Sequence, residues 1–161
     1  KIKNQHLKIV EIGILKNESI KLIREYFSNS TIYGLDYSDL ILEKAKKDNL
    51  NNVFYHKIDV KNSENIKDIF KKLNENFDLI IDDSTHKIED QIRIIENVHY
   101  FLKPGGSIII EDIYDYYDEE KYYESLSKFK NNFSEIYFIE IKHRNTFTPL
   151  DNNNKLLILE K

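Results

Sequence analysis

Four acidic residues and one histidine, set by two short apolar runs, carry the chemistry of this sequence. Asp82 and Asp83 follow Leu79-Ile80-Ile81, Glu111 and Asp112 follow Ile108-Ile109-Ile110, and His86 stands three residues beyond Asp83. Carboxylates gathered at one spot repel each other, so one must keep a proton or a cation must sit among them. Oxygen ligation in a chain without cysteine suits Mg²⁺ or Mn²⁺ rather than zinc.

The elements between these residues decide whether they meet. The stretch from Phe77 to Asp112 reads as strand, acidic turn, helix, turn at Pro104-Gly105-Gly106, strand, acidic turn. Short β-branched runs bounded by turn residues are the pattern of strands buried on both faces. Ile88, Ile92, Ile95, His99 and Leu102 recur at helical spacing between them. A strand–helix–strand crossover of this length makes the two strands parallel and the connection right-handed. Both acidic pairs then leave the carboxyl edge of one sheet, where open α/β sheets bind ligands. As neighbours the strands would lie about 5 Å apart, with His86 starting the helix beside them. One geometric condition applies. Residues 111 and 112 point to opposite faces of a regular strand, so both can reach one ion only if the chain bends there.

The remaining chain supplies the rest of the sheet. Leu7 to Gly13, Thr31 to Asp36 and Asn52 to Asp59 read as strands, the last two ending on acids. Asn17 or Ser19 caps the helix carrying Ile20, Ile23 and Phe27; Ser38 or Asp39 caps the next, and Ile66, Phe70 and Leu73 mark a third. A Tyr-rich helix over Tyr116 to Asn131 precedes strands at Glu135 to Lys142 and Lys155 to Leu159. The segment between that last pair has no helical period, so the two form an antiparallel hairpin with a long loop. Five βα units and a closing hairpin predict an α/β fold: a Rossmann-like, doubly wound, seven-stranded sheet in three layers, mostly parallel with an antiparallel last strand. Gly13 lets a ligand approach the backbone where the first strand turns. An acid such as Asp36, ending the second strand, is placed to hold ribose hydroxyls. Singly, each is as well explained by a turn or a helix cap; in register along one edge they favour a nucleoside site.

Val10-Glu11-Ile12-Gly13, Asp36, Asp59 and Leu102-Lys103-Pro104-Gly105-Gly106 together resemble the class I S-adenosylmethionine-dependent methyltransferases, over nearly the whole chain. The resemblance implies that Glu11 and Gly13 lie by the methionine moiety, Asp36 on the ribose and Asp59 by the adenine, with Tyr37 packing on the base. Asn17 and Ser19, in the loop and helix start that follow, complete the expected cofactor set. Here Ile14 to Ser19 replaces the family's glycine-rich continuation, and Asn17 can supply left-handed backbone in its place. A narrower resemblance joins Asp82-Asp83-Ser84-Thr85-His86 and the later Glu111-Asp112 to the macrolide sugar O-methyltransferases of the mycinamicin type. It implies that Asp83, Glu111 and Asp112 bind Mg²⁺ (or Mn²⁺), with Asp83 and His86 catalytic and His86 the general base. Ser84 stands where that motif has glycine, and Thr85 where it has serine. The implied chemistry is coherent: a divalent ion acidifies a hydroxyl, and a histidine of ordinary pKa about 6.5 takes its proton. Tyr114, with Tyr116 and Tyr117 near it, and His143 with Arg144 are candidates to line the acceptor pocket.

Composition sets the limits. The chain has 161 residues, 40% hydrophobic and 32% charged, with net charge −4, which reads as one domain over residues 1–161. Its lysines are interspersed with acids, giving no basic patch for nucleic acid. No apolar run reaches the roughly 18 residues of a membrane span, and there is no signal peptide, so a cytoplasmic location is expected. The sequence starts at Lys1, a few residues before its first strand, so N-terminal additions are expected to be missing. The expected activity is S-adenosylmethionine-dependent O-methylation of a sugar or glycosylated small molecule, with no membrane partner; a homo-oligomer is compatible with it. Alternatives are a catechol-type O-methyltransferase, which needs vicinal hydroxyls, or a non-catalytic cofactor-binding or oligomerisation module. A dinucleotide-binding domain fits worse, since no G-x-G-x-x-G follows the first strand.

Overall fold

A computed structural model describes residues 2–141 and 153–161. Strands β1 (Lys8–Ile12), β2 (Thr31–Asp36), β3 (Val53–Lys57), β4 (Phe77–Asp82) and β5 (Leu102–Ile113) alternate with helices α1 (Glu18–Tyr26), α2 (Asp39–Lys46), α3 (Ser63–Leu73) and α4 (Ile88–Val98). Helix α5 (Glu119–Leu126), β6 (Glu135–Glu140) and β7 (Lys155–Glu160) complete the order. The seven strands lie in the order β3-β2-β1-β4-β5-β7-β6. β1 to β5 pair in parallel, and β7 runs antiparallel to both β5 and β6, as the doubly wound reading requires. No helix among the described residues is long and apolar enough to cross a membrane.

Central strands bury both faces, which is why β1, β2 and β4 read as nearly unbroken apolar runs. Alternation still sorts their side chains. Ile9 and Ile32 face one layer with Ile20, Leu42 and Ala45 of α1 and α2. Val10, Ile12 and Leu35 face the other with Ile66, Phe70, Ile94, Ile95 and Tyr122 of α3, α4 and α5. Side chains such as Ile80 and Ile108, with no exposed surface, each contribute about 1.5–3 kcal/mol relative to leaving them in water. Asn62 and Ser38 cap α3 and α2 through their side chains. Asn17 occupies the position before α1 without a side-chain cap.

Strand order reverses between β1 and β4: the chain winds outward through β2 and β3, then returns to the other side of β1. Such a switch point opens a crevice at the carboxyl ends of the strands. β4 pairs β5 with Asp82 opposite Ile110, so the two acidic turns are neighbours at that edge.

Several boundaries differ from the sequence reading. Pro104-Gly105-Gly106 is not a turn before β5 but lies inside it. Leu102 pairs with Phe77 and Ser107 with Leu79, leaving the intervening residues as a large bulge. Gly105 takes φ +78° there, and its amide donates to the Lys161 carbonyl while Lys161 donates back to Gly106. The bulge thus binds the end of β7 instead of reversing the chain. β3 is shorter than Asn52 to Asp59 because its ladder with β2 ends at Lys57. The Tyr-rich helix begins only at Glu119, where the Asp118 side chain caps it, and becomes a 3₁₀ helix from Ser127 to Asn132. The loop between β6 and β7 falls largely outside the described residues.

Candidate active site

Gly13 and Asp83 form the floor of the crevice. Gly13 turns the chain out of β1 at φ +89°, and a Cβ there would stand 2.2 Å from the Asp83 carbonyl oxygen. The Asp83 amide donates to the Ile12 carbonyl and the Gly13 amide to the Leu35 carbonyl, each at 2.8 Å. The acidic turn thus packs directly on this glycine, which also lines the adjoining cleft. Removing the side chain at position 13 is what lets the Asp83 turn seat beside the nucleoside edge.

Beyond Gly13, Leu15 and Asn17 also take left-handed backbone, at φ 37° and 65°, so the loop turns without further glycines. The Asn17 side chain is buried and donates to Asp48 Oδ2 at 2.9 Å and to the Tyr55 hydroxyl at 2.8 Å. It ties the loop to β3 and to the segment after α2, while its backbone supplies the left-handed turn expected of it. Ser19 donates to Glu11 Oε1. Glu11 is 1% exposed, its Oε2 has no hydrogen-bond partner, and burial lifts its pKa to about 7. An unpaired carboxylate oxygen buried at the end of β1 is costly unless a donor arrives, which fits the ammonium of a methionine moiety.

Asp36 is held by the backbone amides of Ile14 (3.2 Å to Oδ2) and Ser38 (2.8 Å to Oδ1). It lines a cleft with Gly13, Tyr37, Ile58, Val60, Ser84 and Thr85. A second cleft, sharing Tyr37, Val60 and Thr85 with the first, continues to Asp59 and Lys61. Tyr37 is 66% exposed, and the Lys57 ammonium lies 5.6 Å from its ring centroid. Asp59 accepts from the Lys61 amide at 3.0 Å. The acids expected for ribose and base thus sit in one continuous groove. Val60 and Thr85 were missed; the one is apolar and the other lies within the acidic motif, so neither carries a signal of its own. A larger cavity of about 700 Å³, between α5 and the start of β6, lies at the opposite edge of the sheet, remote from the acids.

The acidic turns converge on His86. Its Nε2 lies 3.1 Å from Asp83 Oδ1 and 3.7 Å from Asp112 Oδ2, and one ligand atom from each of the three lies within 4.8 Å of the others. The bend required of the second turn exists. Asp112 has φ 53°, and β5 slips against β7 between Ile110 and Ile113, so two residues of β5 oppose one of β7. His86, also left-handed at φ 56°, precedes α4 by two residues rather than starting it. Glu111 is not in the three-residue group. It lies close enough that burial, followed by the charges of Asp83 and Asp112, raises its pKa to about 7. Asp83, His86 and Asp112 form the tightest group that could take a cation, with the expected ligand Glu111 beside Asp83 and Asp112 at its margin.

Asp82 is 1% exposed. Its Oδ1 accepts from the Ser84 hydroxyl at 2.6 Å, and burial raises its pKa to about 7. The Asp83 hydrogen bond, outweighing burial, raises the pKa of His86 above 6.5. Tyr114 flanks the cluster, its ring centroid 6.5 Å from that of His86, and stacks on Tyr116 at 5.1 Å. His143 and Arg144 lie outside the described residues. His99 is buried against Tyr100, Phe129 and Phe133, a core residue as expected. The arrangement offers a groove lined by Asp36, Tyr37 and Asp59, a buried carboxyl group at Glu11, and a partly exposed imidazole between carboxylates. That combination can bind a cationic cofactor and accept a proton from an alcohol.

Residues 5–154 match the family described as "Methyltransferase domain". Among solved structures, the MycE methyltransferase of the mycinamycin biosynthetic pathway, in complex with Mg and SAH, superposes with a TM-score of 0.68 at 19% identity. The match covers 99% of this chain and 45% of that one, so the present chain spans less than half of MycE. Fibrillarin from Aeropyrum pernix, with natively bound S-adenosyl-L-methionine, gives a TM-score of 0.71 at 14% identity, covering 99% of this chain and 68% of that one. The Methanococcus jannaschii fibrillarin pre-rRNA processing protein gives 0.70 at 18%, with the same coverage. No curated protein sequence matches the chain.

Proposed function

The chain belongs to the methyltransferase domain family, and from that premise we propose an S-adenosylmethionine-dependent, Mg²⁺-dependent O-methyltransferase of a sugar or glycosylated small molecule. The observation that carries this reading is the meeting of Asp83, Asp112 and His86 at the mouth of the groove that Asp36 and Tyr37 line. Two mutually repelling carboxylates with Glu111 beside them fit a divalent cation, and the unpaired Glu11 Oε2 fits the cofactor's ammonium. When bound, the cofactor supplies an electrophilic methyl group and the cation acidifies the acceptor hydroxyl. Glu11 and Asp36 would hold the cofactor at two points, which would leave transfer needing little beyond in-line placement. In the tautomer whose Nε2–H donates to Asp83 Oδ1, the lone pair on His86 Nδ1 would be free to take the proton of an acceptor hydroxyl. Likeness to fibrillarin is a likeness of fold. Net charge −4 and an acidic rim favour an uncharged acceptor over a phosphate backbone.

The test is calorimetry with S-adenosylhomocysteine, followed by methyl transfer from labelled cofactor to a panel of glycosylated acceptors with and without chelator. Binding, with transfer that stops in chelator and returns with Mg²⁺, is the expected result. Absence of binding removes the cofactor assignment, and transfer indifferent to chelator removes the metal.

A further inference from the structure

We infer that Gln91, oriented by Tyr122, is a positioning residue that holds the bulge aiming Asp112 at Asp83 and His86. The inference rests on reading that cluster as a metal site. β5 pairs with β4 as far as Ile110 and with β7 at Ile110 and then not again until Ile113. Glu111 and Asp112 therefore leave the ladder on both sides, and a backbone carbonyl at such a place needs a partner from elsewhere. Gln91 of α4 supplies it: Nε2 donates to the Glu111 carbonyl at 3.2 Å. The Tyr122 hydroxyl of α5 donates to the amide oxygen of the same side chain at 2.5 Å. That second bond fixes which way the amide faces, because reversing it would set its oxygen against the carbonyl and its nitrogen against the hydroxyl.

Both side chains are almost wholly buried, Gln91 at 1% and Tyr122 at 0% exposure. Burying an amide and a phenol in an apolar layer costs free energy unless every partner is present. Here the partners form one chain from α5 through α4 to the residue before the left-handed Asp112. Without Gln91 the bulge can relax toward a regular strand, and Asp112 then swings to the opposite face from Glu111.

The experiment uses the whole protein, Mn²⁺ uptake followed by the electron paramagnetic resonance of free Mn²⁺, and S-adenosylhomocysteine calorimetry. Gln91→Met, close in volume but without a donor, should weaken Mn²⁺ about tenfold or more, the usual effect of removing support behind a ligand. Cofactor affinity should stay unchanged, since the groove lies on β1, β2 and the Asp83 side. Tyr122→Phe keeps the packing and frees the amide to turn, so it should weaken Mn²⁺ in the same direction by a smaller factor; it decides the matter if Gln91→Met does not fold. Native Mn²⁺ affinity in the folded variants overturns the inference and leaves the metal site standing. Equal losses of Mn²⁺ and cofactor overturn it as general damage. A wild-type protein that takes up no Mn²⁺ removes the metal site and the inference together.

Discussion

His86 combines left-handed backbone with an imidazole held between two carboxylates. For a non-glycine residue that conformation costs free energy, and such costs persist where the surroundings over-determine them. Asp83 and Asp112 stabilise the imidazolium, so the imidazole is more basic than an ordinary histidine and, as the proposed base, must be neutral to act. Its activity should therefore rise with pH through a pKa above 6.5. Replacing it isolates the step. His86→Ala should lower turnover by about 10²- to 10⁴-fold, the range of a lost general base, while calorimetry shows S-adenosylhomocysteine affinity unchanged. Turnover retained at the wild-type level would remove His86 from the proton transfer. Types and spacing in the sequence pointed to Asp83, Glu111 and Asp112 as ligands, with His86 beside them. They did not reveal that Glu111 stands at the margin, because which of two adjacent carboxylates turns inward depends on a bulge set by β7.

At the level of elements, the site is built by two strand ends pressed together. The β1 turn at Gly13 and the β4 turn at Asp83 share backbone contact so close that no side chain fits. Gly13→Ala adds a Cβ against the Asp83 carbonyl and forces alanine into φ +89°. The expected loss is about 3 kcal/mol or more of stability, read as a lower urea midpoint, with metal affinity weakened as the Asp83 turn is displaced. A variant as stable as the wild type would show that the turns can separate freely. This contact was half legible. A glycine ending a first strand was visible in Val10-Glu11-Ile12-Gly13; that the Asp83 turn packs on it follows from β4 lying beside β1, a pairing of residues distant in the chain.

Across the whole molecule, two buried acids and the partly buried Glu111 shape the pH dependence of stability. Glu11, Asp82 and Glu111 titrate near pH 7 in the fold, against 4.5, 3.8 and 4.5 for unperturbed groups. The folded chain therefore holds more protons than the unfolded one between about pH 4 and 7, so their contribution to stability is complete below that window and lost as pH rises through it. In chelator, Asp82→Asn, a neutral mimic, should flatten the fall in urea midpoint between pH 5 and 8 and be more stable than the wild type at pH 8. An unchanged slope would mean that Asp82 is ionised in the fold at little cost.

The βα alternation, the parallel sheet and the carboxyl-edge placement of Asp36, Asp83 and Glu111-Asp112 were set by the sequence alone, because strand and helix periods and the handedness of crossovers are local rules. Pro104-Gly105-Gly106 looked like a turn because local patterns record what a residue can do. Tertiary structure decided what each one does. Tyr55 and Asp48 engage the Asn17 amide, Lys161 draws the glycines into β5, and Gln91 holds the bulge before Asp112, all through contacts between segments that no local pattern connects.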